Sequence, residues 1–270
     1  MSMGFGVSSA RWADIHLDKE TEHAAAQATL AFLKRVHKSV TAALELSGQD
    51  ALREQLRVSF DEFDPAHLDF VLATVASGEV RISANKGKVK AEETQITGLW
   101  RVEENGRQYF VFGSIPDAIL QAVRQGSQKL EIPETAPEGV FSAPAILKEL
   151  ASALSECKAE EVDFDPPHMV ELTRQPVERI DMQWLKTVLG QGETEVWLSG
   201  FANARMQSTN YRCIWRSTLL NKAGKTLLDS FIVTLLPPEI PASPDEFSDA
   251  ERQCREIIDW LEGDLARGVL

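Results

Sequence analysis

Gly78-Glu79, Thr94, Trp100-Arg101 and Gly106 return in the same order as Gly192-Glu193, Thr209, Trp215-Arg216 and Gly224. The offset is constant from Thr94 to Thr209, from Trp100 to Trp215 and from Arg101 to Arg216. Solenoid repeats recur at roughly 20–50 residues, so a period this long implies a duplicated domain instead. A duplication also accounts for Trp and Arg recurring with no catalytic duty.

Working outward from the repeated words, the same elements come up twice. Asp64-Pro65 opens a short helix through Leu68, Val71, Leu72 and Val75, and Asp181 to Leu189 repeats it. Gly78 and Gly192 are read as closing these helices and leading into strands, the first beginning Glu79-Val80-Arg81-Ile82. Further strands are expected over Lys88–Thr94, Leu99–Val102 and Gln108–Phe112. In the second copy they run over Val196–Leu198, Ala204–Thr209, Ile214–Leu219 and Leu227–Leu235. Glu103-Glu104-Asn105-Gly106 is a hairpin turn, because Asn-Gly accepts positive φ; Ala223-Gly224 takes that place later. Pro116-Asp117 starts a helix from Ala118 to Arg124, and Leu236-Pro237-Pro238 ends the second sheet segment.

Helical spacing of Ala25, Ala28, Phe32, Leu33, Val36, Val40, Ala43 and Leu44 predicts a long amphipathic helix over Glu20–Leu46. Ile146, Leu147, Leu150 and Leu154 give its shorter counterpart. Ser248 with Glu251 reads as a capping box opening a last helix with Ala250, Cys254, Ile257, Ile258, Leu261 and Leu265 on one face. The fold class is α+β, with two tandem pseudo-symmetric units, each an antiparallel β-meander packed with helices. The expected organisation is a flexible N-terminal arm over residues 1–18, with Trp12 as a docking point, and a first repeat over 19–128. A Pro-rich linker over 129–144 then leads to a second repeat over 145–270.

Composition restricts the function classes. With 43% hydrophobic and 26% charged residues the chain is a folded globular one, and its length accommodates two modest cores. Forty-one acidic against twenty-eight basic residues leave a net charge of −13. Such a surface repels phosphate, which argues against nucleic acid and anionic membrane and favours a basic peptide; acidity also serves solubility alone. No stretch has the ~20 apolar residues of a membrane span and no signal pattern opens the chain, so the cytoplasm is expected. Cys157, Cys213 and Cys254 match no metal or redox spacing and read as small buried hydrophobes in a reducing compartment. His16, His23, His37, His67 and His168 are scattered, where a metal needs three or four converging ligands. Lys86-Gly87-Lys88 is too short for a phosphate loop, and no nucleophile–base arrangement can be read. Catalytic residues, metal and cofactor are therefore all expected to be absent.

The ordered set of fragments carries a resemblance. Leu185-Lys186-Thr187-Val188-Leu189-Gly190-Gln191-Gly192-Glu193 resembles the Leu-Leu-Gly-x-Gly-Glu element of the HupH/HyaF family of hydrogenase expression proteins. Ser208-Thr209, Ile214-Trp215-Arg216, Asn221, Leu227-Leu228-Asp229-Ser230-Phe231-Ile232-Val233 and Pro237-Pro238-Glu239 are similar to its later positions. Ser77 to Val80, Thr97 to Val102 and Ile115-Pro116 match its N-terminal copy, so coverage runs from about residue 65 onward. The chain departs from the family at Gly200–Arg205, which keeps only the Gly, an aromatic and Arg205, and at Ile232, where an acidic residue is usual. The resemblance implies a non-catalytic accessory role in maturing a membrane-bound or uptake nickel–iron hydrogenase. The implied client is the iron–sulfur small-subunit precursor, held in the cytoplasm before twin-arginine export. A metallochaperone or enzyme acting on the metal centre, and a scaffold between other accessory proteins, remain as alternatives.

The partner-binding candidates are Glu79, Arg101, Glu193, Arg205, Arg216, Glu160, Glu161 and Asp163. Trp100-Arg101 and Trp215-Arg216 present either a recognition face, since Trp and Arg are enriched at hot spots, or a core Trp beside a solvated Arg. Strand alternation places the two residues on opposite faces, which excludes both from one core. Gly78, Trp100, Gly192 and Trp215 are structural positions. Glu79 and Glu193 read either as strand-entry positions or as a related pair of anionic contacts for a basic peptide, and Arg205, which aligns with Lys90, is open to either reading. The loop Glu160-Glu161-Val162-Asp163-Phe164-Asp165 is either a groove lip for a basic, partly apolar signal peptide or a solvated connector.

Overall fold

The computed structural model describes residues 15–200 and 203–270. The expected arm and its Trp12 lie, over residues 1–14, outside the described residues. In chain order the elements begin α1 (Lys19–Ala43), α2 (Gln49–Leu52), β1 (Leu56–Ser59), α3 (Leu68–Val75), β2 (Ser77–Ala84) and β3 (Val89–Thr94). They continue β4 (Leu99–Glu104), β5 (Arg107–Phe112), α4 (Asp117–Val123), α5 (Ala143–Glu156), β6 (His168–Glu171) and α6 (Arg179–Leu189). The last five are β7 (Glu195–Leu198), β8 (Asn203–Ser208), β9 (Ile214–Leu220), β10 (Thr226–Val233) and α7 (Phe247–Arg267). The class is α+β, with antiparallel strands and helices.

Contacts divide the chain into two compact units. One comprises residues up to Glu79, Lys90–Asp117 and Ala242–Leu270; the other comprises Val80–Val89 and Ala118–Pro241. This division differs from the expected boundary after residue 144. The physical reason is α7, whose Ala250, Cys254 and Leu261 are buried in one core with Leu33, Val36 and Val40 of α1. His37 Nε2 lies 2.8 Å from Glu251 Oε1, and Thr97 N donates to Gln253 Oε1.

In the first unit, α1 starts where the Asp18 carboxylate accepts from Thr21 N, satisfying a free helix-end donor. Its apolar stripe meets Phe70 and Val71 of α3 and Phe110 and Phe112 of β5 in the same core. β5 pairs with β1 on one side and β4 on the other, Phe110 facing both Val58 and Arg101. The β4–β5 turn is the predicted Asn105-Gly106, with φ of 50° and 82°, the positive values a two-residue hairpin needs. In the second unit the strands are ordered β2-β7-β8-β9-β10-β6, all antiparallel, with α5 packed on β10 and β6.

Several expectations change. The edge strands β1 and β6 and the short α2 were not legible in the periodicity. Gly78 does not end α3, which stops at Ala76 with φ of 45°, and α6 stops at Gly190 rather than Gly192. The capping box before α7 is Ser243 with Glu246, on a single 3-10 turn at Pro244–Glu246; Ser248 instead donates to Asp245 O.

Candidate functional site

The repeated residues perform the same local tasks in each unit. A Cβ on Gly78 would stand 2.4 Å from Thr94 O, and one on Gly192 2.3 Å from Thr209 O. These glycines therefore serve close backbone approach, since a Cβ cannot come so near a carbonyl oxygen. The Thr94 hydroxyl bridges Ile96 N and O, as the Thr209 hydroxyl bridges Tyr211 N and O. Trp100 and Trp215 are buried, and their indole N–H groups donate to Gly113 O at 3.2 Å and Leu235 O at 3.3 Å. Each thereby satisfies the one donor that makes a buried Trp costly.

The arginines beside them part company. Arg101 is only 4% exposed, donates to Gln108 Oε1 and lies 5.7 Å from the Phe60 ring centroid. Burial lowers its pKa, opposed by Glu92 and Glu103. Alternation does put Trp100 and Arg101 on opposite faces of β4, but both faces are covered, so neither side chain is solvated. That burial removes Arg101 from the partner-binding set. Arg216 is half-buried and forms a two-pronged pair with Asp229, at 3.0 and 2.6 Å.

Arg216 and Arg205 share a crevice of about 360 Å³ in the second unit, lined also by Lys186, Leu189, Gln207 and Phe231. Arg205 pairs with Glu195 on β7. Gln207 Nε2 donates to Gly192 O and Thr194 O at 3.0 Å, which fixes the crevice wall to the Gly192 turn. Glu193 is exposed and bonds Lys86 at 2.9 Å, while Glu79 is exposed in the first unit.

The acidic loop is held in place. Arg212, largely buried, reaches Glu160 at 2.8 Å and also donates to Ala159 O; Arg124 donates to Glu160 O at 2.6 Å. Val162 is buried, Asp163 faces Lys158 at 3.6 Å and accepts from Asp165 N, and Glu161 is exposed. Behind this lip lies a cavity of about 350 Å³, lined by Glu149, Cys157, Lys158, Asp163, Asp165 and His168. One feature here escaped the sequence: Cys157 and Cys213 are hydrogen-bonded thiols, far apart in the chain and outside any motif spacing. The Cys213 contact, against burial and helped by Arg212, lowers the Cys157 pKa, whereas the Cys157 contact and burial, against Arg212, raise that of Cys213. Among the described residues no group of three or more His, Cys, Asp and Glu is placed to hold a metal ion. No helix among them is long and apolar enough to cross a membrane. Pinned carboxylates thus stand over one cavity, and paired cations line another.

Comparison with known proteins relates the chain to hydrogenase expression proteins. Residues 140–261 match the HupH hydrogenase expression protein, C-terminal conserved region. The hydrogenase expression/formation protein HoxQ of Cupriavidus necator is 26% identical over 223 residues, covering 80% of this chain and 77% of that protein. HupQ of Azotobacter chroococcum is 28% identical over 241 residues, covering 86% and 82%. HupH of Rhodobacter capsulatus is 26% identical over 273 residues, covering 96% of each chain. A solved structure of HupH from Thiobacillus denitrificans is 24% identical, with a TM-score of 0.37, over 45% of this chain and 96% of that one.

Proposed function

We propose that this chain, whose residues 140–261 match the conserved C-terminal region of the HupH hydrogenase expression proteins, serves hydrogenase maturation as a non-catalytic chaperone. The client is the iron–sulfur small-subunit precursor, held in the cytoplasm until its clusters are in place and export begins. The observation that carries the reading is the fixed acidic lip Glu160–Asp165 over its cavity, on a protein of net charge −13. A basic signal segment is drawn to such a surface by the summed field, and fixed carboxylates lose little freedom on contact. Glu160 is preset by Arg212 and Arg124, Asp163 by Lys158, and Glu161 stays open for a cation of the client.

The test is co-purification of the full chain with the precursor, with and without its basic signal segment, at low and high salt. Retention of the full precursor alone, weakened several-fold by salt and by Glu161→Lys, is expected. Equal retention of both forms moves the contact to the folded subunit. Salt-insensitive retention removes the electrostatic part, and retention of neither removes this client.

A further inference from the structure

The crevice described in the second unit has a counterpart in the first, and the two are in opposite states. Leu72, Val75, Glu92, Thr94, Arg101 and Phe110 line the first; Lys186, Leu189, Gln207, Thr209, Arg216 and Phe231 line the second. These are corresponding positions of the repeat. The first is closed to about 10 Å³, whereas the second is open at about 360 Å³.

What fills the first is visible. The edge strand β1 pairs with β5 so that Val58 faces Phe110, and the chain then turns through Phe60-Asp61-Glu62-Phe63. The Phe60 ring lies 4.8 Å from Phe110, with the Arg101 guanidinium 5.7 Å from its centroid. Phe63 meets Phe110 edge-on at 6.3 Å. The two rings and a guanidinium form one aromatic–cation stack, a combination worth more than its area alone.

In the second unit the edge strand β6 pairs with β10 in the same way, Val170 facing Phe231. The residues that follow are Leu172-Thr173-Arg174-Gln175, so Leu172 stands at the place of Phe60, and none of the three residues after it is aromatic or acidic. The lining changes in step. Gln207 replaces Glu92 and Lys186 replaces Leu72. With Arg205 and Arg216 set against Glu195 and Asp229, Lys186 leaves the crevice one positive charge in excess on an otherwise acidic protein.

We propose that this open crevice is a docking site for a partner protein's peptide bearing an aromatic side chain next to carboxylates, the ring taking the position over Phe231 and Arg216 that Phe60 takes over Phe110 and Arg101. The site is separate from the acidic lip, and its ligand has the opposite charge, so either idea can fail alone. An aromatic anchor in a preformed, part-apolar pocket with a cationic rim is a common form of hot spot.

The probe is a capped synthetic peptide of this chain's own first-unit segment, Ser-Phe-Asp-Glu-Phe-Asp (residues 59–64), titrated into the full protein. Calorimetry and amide and guanidinium NMR shifts follow the binding. Saturable binding with shifts at Arg205, Arg216 and Thr218 is expected, weakened at least about tenfold when both Phe of the peptide become Ala. Thr218→Trp, which fills the crevice, should abolish it. Lys186→Glu, at an exposed helix position, should weaken it about fivefold or more with the melting temperature unchanged, which guards against misfolding of the first variant. Binding that survives both substitutions, shifts confined to other surfaces, or no binding at millimolar peptide overturns the proposal. A tenfold gain on deleting residues 1–14, which carry Phe5 and Trp12, overturns it too, by making the occupant the chain's own segment.

Discussion

Replacing Glu93 by Gln should make the protein more stable, and increasingly so as pH rises. Burial pushes the Glu93 carboxyl up to about 7, against a hydrogen bond from Gly98 N at 3.0 Å and with Glu246 and Glu79 adding repulsion. A carboxyl at 4.5 in the unfolded chain and about 7 in the folded one favours folding while it holds its proton. That contribution is complete below 4.5 and is lost as pH climbs through 7. The full displacement is worth about 3 kcal/mol, of which about 1 kcal/mol falls between pH 6 and 8. Glutamine keeps the carbonyl that accepts from Gly98 N and never ionises. Urea unfolding of both proteins at pH 6 and 8 should show a loss of about 1 kcal/mol in the wild type that is absent in Glu93→Gln. The variant should lead by about 3 kcal/mol at pH 8. Parallel pH profiles, or a variant less stable at pH 8, would refute the reasoning.

Other outcomes follow from single contacts. Gly192→Ala and Gly78→Ala each drive a methyl into a backbone carbonyl, and each should cost about 2 kcal/mol or more in denaturant unfolding. Asp181, fully buried, accepts from Phe141, Ser142 and Ala143 N through Oδ1 and from Glu178 N through Oδ2. Burial raises its pKa, but these four donors outweigh that and hold it below 3.8. Asp181→Asn should therefore cost about 3 kcal/mol at pH 7, and the deficit should shrink only as pH falls below 3.8, where the wild-type carboxylate takes a proton. Cys157, half-buried with a lowered pKa, should alkylate with iodoacetamide before Cys213 and Cys254, the latter buried and pushed up to about 12. Peptide mapping of a partial reaction reads the order.

Strands and helices with strong internal signals were legible: the stripe of α1, the Asn105-Gly106 turn, the meander around each Trp-Arg pair. Four-residue edge strands were not, because β1 and β6 are defined by their pairing with β5 and β10 rather than by their own pattern. The Gly-Glu step marks a close backbone approach rather than a helix end. Helix-ending glycines and glycines of close approach look alike until the opposing carbonyl is in place, and here Ala76 and Gly190 end the helices. Arg101 and Arg216 occupy the same repeated dipeptide, yet one is buried and one lines an open crevice. That difference lies in what covers each strand, Phe60 in one unit and nothing aromatic after Val170 in the other. The repeated words mark the scaffold, and the departures from repetition mark where the two units differ in use.

The placement of α7 against α1 has a consequence for synthesis. Packing of α1 against α7 brings Leu33 and Val36 into one core with Cys254 and Leu261, a strongly non-local pairing of the kind that is slow to form. At roughly 5–20 residues per second, the ribosome needs on the order of ten seconds after finishing β5 to deliver α7. The second unit needs nothing beyond Pro241 and can begin to close before α7 is complete, while α1, already packed on α3 and β5, still lacks the cover that α7 supplies. A protein proposed to shelter another's unfinished subunit thus leaves its own α1 unfinished until α7 arrives.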